Sequence, residues 1–304
     1  MKPIDLVVSY VNSLDIDWQK QFIDTINKYK GLLVGYTANR FRDFNTFRYF
    51  FRAVEENIPW IRKVFVVLQT PSQKPEWLQE GPKLKCVYHN EFIPQEYLPT
   101  YNSATIELFL WKIRGLSEHY IYFNDDMFVL NPLKESDFFD DNNNPVLSFK
   151  TIEDKPQNYS SMLKNTEILA RVAAKAFDDC DADSWISDGH GCTPMKRSTW
   201  KFLFKTLEQN IKASLTQFRN PNNIVQQLST YYFRFKRRFS EKQYSILTTD
   251  FSSFKASSIA NMIESRSYDV ICINDSDCMN YVEDSKIICN ALNSRFPNKS
   301  MFEI

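Results

Sequence analysis

Two adjacent carboxylates at the end of an apolar run are the sharpest chemical feature of this chain. Asn124, Asp125 and Asp126 interrupt the segment HYIYFNDDMFVL over 119–130. Aspartates in such a place are costly to bury without a counter-ion. Their hard oxygens favour Mg²⁺ or Mn²⁺, and a nucleotide-sugar enzyme would set its diphosphate against them. The plainer alternative is one capping aspartate beside a solvated one. A second acidic strand end, Asn274-Asp275 closing DVICIND over 269–275, could bring another oxygen to the same place.

Basic groups come next. Arg40, Arg42 and Asp43 form RFRD over 40–43, and Arg48 and Arg52 stand four apart on one face of the helix expected to follow. A guanidinium fork suits phosphate oxygens, although pairing with Asp43, Glu55 or Glu56 explains any single member as well. His190 sits in the loop Asp188-Gly189-His190-Gly191, where an imidazole near neutrality could serve as general base. His89 ends a strand and His119 lies in a turn, so both have structural explanations. Arg219 precedes a polar turn in QFRN. The stretch FRFKRRF over 233–239 suggests a helix with a basic outer and an aromatic inner face.

These residues need a frame to hold them. Apolar runs at 4–11, 63–69, 84–89 and 119–130 predict strands, the last interrupted by its acidic residues. Apolar spacing predicts helices over 17–30, 46–57 (capped by Asn45) and 103–116 (closed by Gly115). The second half reads as helices over 160–180, 194–213 and 222–239, with weak strands near 245–249 and 268–273. Alternating strands and helices imply an α/β fold with a mostly parallel sheet of buried strands. Ligands of such sheets bind beyond the carboxyl ends of the strands, where Asn12, Asp15 and the Asn124–Asp126 cluster fall. One domain is expected over 1–304: a core over 1–150, a largely helical insertion over 151–265 and a C-terminal return over 266–304. The acidic residues Asp178, Asp179, Asp181 and Asp183 read as a solvated loop.

Composition narrows the possibilities. The 304 residues hold 37 basic and 37 acidic side chains, so charge makes no case for a nucleic-acid partner. No apolar run is long enough to span a bilayer, and the N-terminal run, broken by Asp5 and Asn12, is too short for a signal peptide. Six cysteines without a CxxC pair and three histidines argue against structural zinc and for free thiols in the cytosol. With six glycines and no glycine-rich phosphate loop, side chains and a metal would have to hold any phosphate.

The order of the motifs adds to this. RFRDFNTFRYFFRAVEENIPWIRKVFVV, LPTYNSATIE and GLSEHYIYFNDDMFVLNPL resemble the second signature region of the Stealth family. IDLVVSYVNSLD is similar to its first region, HGCTPMKRS with FRNPNNI to its third, and VICINDSD with FPNKSMFE to its fourth. Tyr10-Val11-Asn12-Ser13 departs from the family's tryptophan-valine-aspartate-glycine, Thr46 replaces an acidic residue, and Trp111-Lys112 replaces a histidine-arginine pair. The resemblance implies a hexose-1-phosphoryl transferase of bacterial capsule synthesis, its sheet a nucleotide-sugar-binding one, Rossmann-like or glycosyltransferase-A-like. It would move sugar-1-phosphate from a UDP-sugar to a carbohydrate acceptor hydroxyl and release UMP. It implies Asp125, Asp126 and Asp275 as ligands of Mg²⁺ or Mn²⁺, Arg42 and Arg219 as phosphate partners, and His190 as base. Tyr10, Val11, Asn12, Arg40, Asp43, Arg48, Asn102, Glu107, Asn124 and Asn274 would then contact the donor or orient the groups that do. A cytoplasmic enzyme, with at most peripheral contact at the inner face of the membrane, is expected. The rival readings are a metal-dependent glycosyltransferase releasing UDP and a non-catalytic glycan-binding protein. Oligomeric state has no signature in the sequence.

Overall fold

The computed structural model describes residues 2–29, 41–151, 161–176, 184–186, 192–276 and 280–304. Four of the expected strands form a parallel sheet: β1 (Ile4–Ser9), β2 (Val64–Leu68), β3 (Leu84–Tyr88) and β4 (His119–Asn124). β9 (Thr193–Lys196) joins β4 antiparallel, giving the order β3-β2-β1-β4-β9. The chain leaves β1 towards β2 and β3 on one side and returns to β4 on the other. This Rossmann-like reversal opens a crevice at the carboxyl ends of β1 and β4.

Strand alternation divides the core into two layers. Leu6, Val8, Val66, Ile121 and Phe123 face one side, packing on α2 (Phe47–Asn57), α9 (Ala256–Ser265) and α10 (Tyr281–Arg295). Val7, Phe65, Val67, Tyr120 and Tyr122 face the other, against α4 (Ser103–Phe109), α5 (Ser161–Ala174), α6 (Arg197–Thr206), α7 (Glu208–Ser214) and α8 (Gln227–Phe235). α1 (Ile16–Lys28) packs Trp18, Phe22 and Ile26 with Tyr101 and Phe218. α3 (His89–Phe92) is a single turn after β3. Asp5, fully buried in β1, is held at the sheet's opposite end by a forked bond from Arg62 and by the Ser117 amide.

The run over 119–130 divides between two sheets. β4 ends at Asn124, and β5 (Met127–Val129) pairs antiparallel with β12 (Val270–Asn274), which pairs parallel with β11 (Ile246–Asp250). The short pairs β6 (Val146–Leu147) with β10 (Ser240–Glu241) and β7 (Phe149–Thr151) with β8 (Ser184–Ile186) complete the strands.

Several expectations need correction. β9, α9 and α10 go beyond the elements that the apolar pattern predicts; Pro194 and the polar flanks of 193–196 hide an edge strand that the sheet recruits. Asn45 does not cap α2. It sits at φ 58°, a left-handed value that asparagine tolerates, and its amide bonds to Asp43. α4 gives way to a 3₁₀ turn at Leu110, before Gly115 at φ 87°. α8 ends at Phe235, and Arg234, expected on the basic outer face, is buried. Cys86, Cys192, Cys272 and Cys289 are free thiols. Among the described residues no helix is long and apolar enough to cross a membrane. The acidic loop over 178–183 lies outside the described residues.

Candidate active site

A cavity of about 650 Å³ opens at the carboxyl ends of β1, β2, β4 and β12. Tyr10, Val11, Glu107, Asn124, Asp125, Asp126, Arg219, Asn274 and Asp275 all line it, although they come from five separate stretches of chain. The acidic turn is clamped between the two sheets. Asn124 pairs with Ser9 of β1, and the carbonyl of Asp126 accepts from the Ile273 amide at 2.9 Å. These two attachments set Asp125 and Asp126 beside Asn274 and Asp275.

The carboxylates interact. Burial, then repulsion from Asp126 and Asp43, holds the Asp125 carboxyl well above the ordinary range. That is the signature of an anionic cluster short of positive charge. Two adjacent carboxylates flanked by asparagine amides fit Mg²⁺, which commonly takes one or two protein carboxylates and completes its shell with water and substrate phosphate. Asp275, expected as a further ligand, lines the cavity and is engaged by an arginine. Both its oxygens accept from Arg42, at 2.6 Å each, and Arg42 also lies over the Tyr281 ring. Arg42 and Asp275 therefore neutralise each other at the cavity wall, and Arg42 itself is not part of the lining. Among the described residues no group of three or more His, Cys, Asp or Glu side chains is arranged for a metal ion.

Arg219 lines the same cavity as the acidic pair, from a loop that α4 holds in place. Its Nη2 donates to Ser103 Oγ at 2.6 Å. Asn102, expected to contact the donor, is fully buried and does not line the cavity. Its side-chain oxygen caps α4 through the Ala104 amide. Its Nδ2 donates to Asn223 Oδ1 at 2.9 Å and to the carbonyls of Thr216 and Phe218. It positions the Arg219 loop. Below Arg219 lies Glu107, which Tyr122 approaches with its hydroxyl at 3.4 Å. Burial pushes the Glu107 carboxyl up to about 7, against the opposing pull of Arg219, Tyr122 and Ser103.

Three further expectations change. Asn12 turns its side chain to the Leu14 amide, and its backbone is gripped twice by Gln73, leaving it outside the cavity lining. Asp43 stands behind Tyr10, accepting its hydroxyl at 2.6 Å, while the Tyr10 ring stacks on Phe47 at 4.2 Å. Burial and Asp43 together keep the Tyr10 phenol protonated, well above its usual range. Arg48 stacks over Trp77 at 5.5 Å and does not reach the cavity; Arg52 forks onto Glu303. Arg40 and His190 lie outside the described residues. Sequence reasoning missed Gln73, Ser103 and Tyr122. Only Tyr122 carried a signal, since the period of two in YIYF aims it to the same face as Tyr120.

Comparison with known proteins gives a consistent picture. The sequence profile described as "Stealth protein CR2, conserved region 2" matches residues 40–147. The chain is 33% identical to the capsular polysaccharide phosphotransferase fcs1 of Haemophilus influenzae, over 82% of this chain and 68% of that protein. It is 28% identical to the capsular polysaccharide phosphotransferase WcwK of Streptococcus pneumoniae, over 100% of this chain and 98% of that one. The receptor polysaccharide phosphotransferase WefC of Streptococcus oralis is 27% identical along the whole of both chains.

Proposed function

Since the chain belongs to the Stealth family and is a phosphotransferase, we propose that it transfers sugar-1-phosphate from a UDP-sugar to a hydroxyl of a carbohydrate acceptor. The product is a phosphodiester, UMP leaves, and the pathway is capsule or surface polysaccharide synthesis. The observation that supports this most is the cavity itself. It places a carboxylate pair and a guanidinium around one space at the sheet's reversal point. Phosphoryl transfer asks a protein mainly for alignment and charge stabilisation.

Asp125 and Asp126 would hold Mg²⁺, with Asn124 and Asn274 alongside. When bound, that ion supplies neutralisation of the diphosphate and of the departing UMP. Arg219, fixed by Ser103, stabilises the non-bridging oxygens of the transferred phosphoryl group. Glu107 holds Arg219 in place from beneath. Tyr10 and Val11 border the donor at the end of β1. The acceptor oxygen forms a bond to the sugar-proximal phosphorus as the bridging P–O bond breaks. UMP takes that electron pair, the acceptor proton passes to His190, and the sugar's C1–O bond stays intact. Cytoplasmic residence, beside the pool of nucleotide-sugars, accords with this chemistry.

Incubation with a panel of UDP-sugars, Mg²⁺ and acceptor oligosaccharide tests the proposal through the nucleotide released. UMP together with a diester signal in phosphorus NMR is the expected result. Release of UDP would establish glycosyl transfer instead.

A further inference from the structure

His89 stands apart from the machinery assigned above. It follows β3, is 6% exposed and lines the cavity. Its Nδ1 is shut away from solvent with no hydrogen-bond partner, and no described residue bonds to either ring nitrogen. Its neighbour Phe92 meets the ring only by an edge contact, with centroids 6.2 Å apart. Buried imidazoles ordinarily find a partner; Nδ1 is closed off from solvent, so Nε2 is the ring nitrogen through which this cavity-lining histidine would meet a ligand. Burial alone pushes this histidine down to about 3. It is therefore neutral at working pH, and its ring carries one donor and one acceptor.

Its place in the sheet says which part of a ligand it would meet. The order β3-β2-β1-β4 puts His89 three strands from the Asp125–Asp126 turn. At about 4.8 Å per strand step, the two ends of the cavity are roughly 14 Å apart. That is comparable to the reach from a diphosphate across its ribose to the far edge of the base. We propose that His89 reads the nucleoside end of the donor, hydrogen-bonding the nucleobase through its neutral ring and contributing to base selectivity. This rests on the assignment of the diphosphate to the acidic turn.

Calorimetric binding of UDP and of inorganic diphosphate, each with Mg²⁺, separates the two ends. His89→Leu is expected to weaken UDP by about 3- to 10-fold, the worth of one neutral hydrogen bond, and to leave diphosphate unchanged. His89→Gln, which keeps a donor and an acceptor, should recover most of the loss. Nitrogen-15 NMR of the wild-type histidines gives a readout that needs no variant to fold. UDP should shift the His89 ring nitrogens and diphosphate should not. Equal losses for both ligands, or unchanged UDP binding and an unmoved His89 resonance, overturn the assignment of His89 alone. Wild-type protein that binds UDP no better than diphosphate overturns the nucleotide reading itself, and His89's role with it.

Discussion

Glu107 makes a prediction in which stability and activity move in opposite directions. Its carboxyl lies beneath Arg219, 9% exposed, and burial raises it from 4.5 to about 7. An acid raised in this way keeps its proton in the folded chain at a pH where the unfolded chain has lost it. Folding is therefore unpenalised below pH 4.5, loses stability as pH climbs towards 7, and levels off above that. A tenfold change in proton affinity between the folded and unfolded chain corresponds to about 1.4 kcal/mol, so the full penalty is about 3 kcal/mol. Glu107→Gln removes the ionisable group while keeping its shape. Urea unfolding of wild type and variant, without metal or nucleotide, should give nearly equal stabilities at pH 4. The variant should be more stable by about 3 kcal/mol at pH 8. Transfer activity should fall at pH 8, where the wild-type carboxylate is ionised and Arg219 loses its counter-charge. A stability difference that stays the same from pH 4 to pH 8 would show that Glu107 ionises freely, and the electrostatic picture of the cavity would be wrong.

Two other outcomes follow from the geometry. Asn102→Ala removes the cap of α4 and strips partners from Asn223 and Thr216. It should cost about 2 kcal/mol in denaturant unfolding and lower turnover in the fraction that stays folded, because the Arg219 loop loses its anchor; unimpaired turnover would refute the positioning role. Mg²⁺ at one hundred times its dissociation constant should stabilise the wild type by about 2.7 kcal/mol in thermal melts, and Asp125→Asn should abolish the shift while making the metal-free protein more stable. An equal Mg²⁺ shift in both proteins would move the metal elsewhere.

How much of this is legible in the sequence depends on whether the signal is local. β1 to β4 are short apolar runs bounded by turn residues, and the period of two inside them survives folding intact. The acidic turn is visible because two aspartates after YIYF make no sense as core. Asn102 is not readable as a cap that also ties down a distant loop, since its partners there lie more than a hundred residues away. Arg42 and Asp275 are each legible as charged and near the site. That they neutralise each other depends on the second sheet bringing 275 against 42, a contact no local pattern encodes. Arg48 fails for a related reason: four-residue spacing puts it on one helix face with Arg52, but that face points to Trp77 and Glu303, away from the cavity. β9 stays hidden because an edge strand of four residues, one of them proline, has too little periodicity to declare itself.

Charge balance around the cavity ties the assignments together. Among the described residues that line it, the acids are Glu107, Asp125, Asp126 and Asp275, and Arg219 is the basic side chain of Arg or Lys type. Asp275 is cancelled by Arg42, and Glu107, raised to about 7, is substantially protonated near neutral pH. What remains is the Asp125–Asp126 pair against one guanidinium, and burial together with repulsion from Asp126 and Asp43 favours the protonated form of Asp125. A diphosphate would add negative charge beside these acids, with Arg219 alone to offset it, at the place where the sheet reversal directs it. A bound divalent ion would displace the proton that burial and repulsion favour on Asp125 and would make the acidic turn a seat for phosphate. The same carboxylates that weaken the metal-free fold are then the ones that make donor binding conditional on the ion. Binding of UDP should accordingly collapse when the cation is chelated, far more steeply than the loss of any single hydrogen bond would allow.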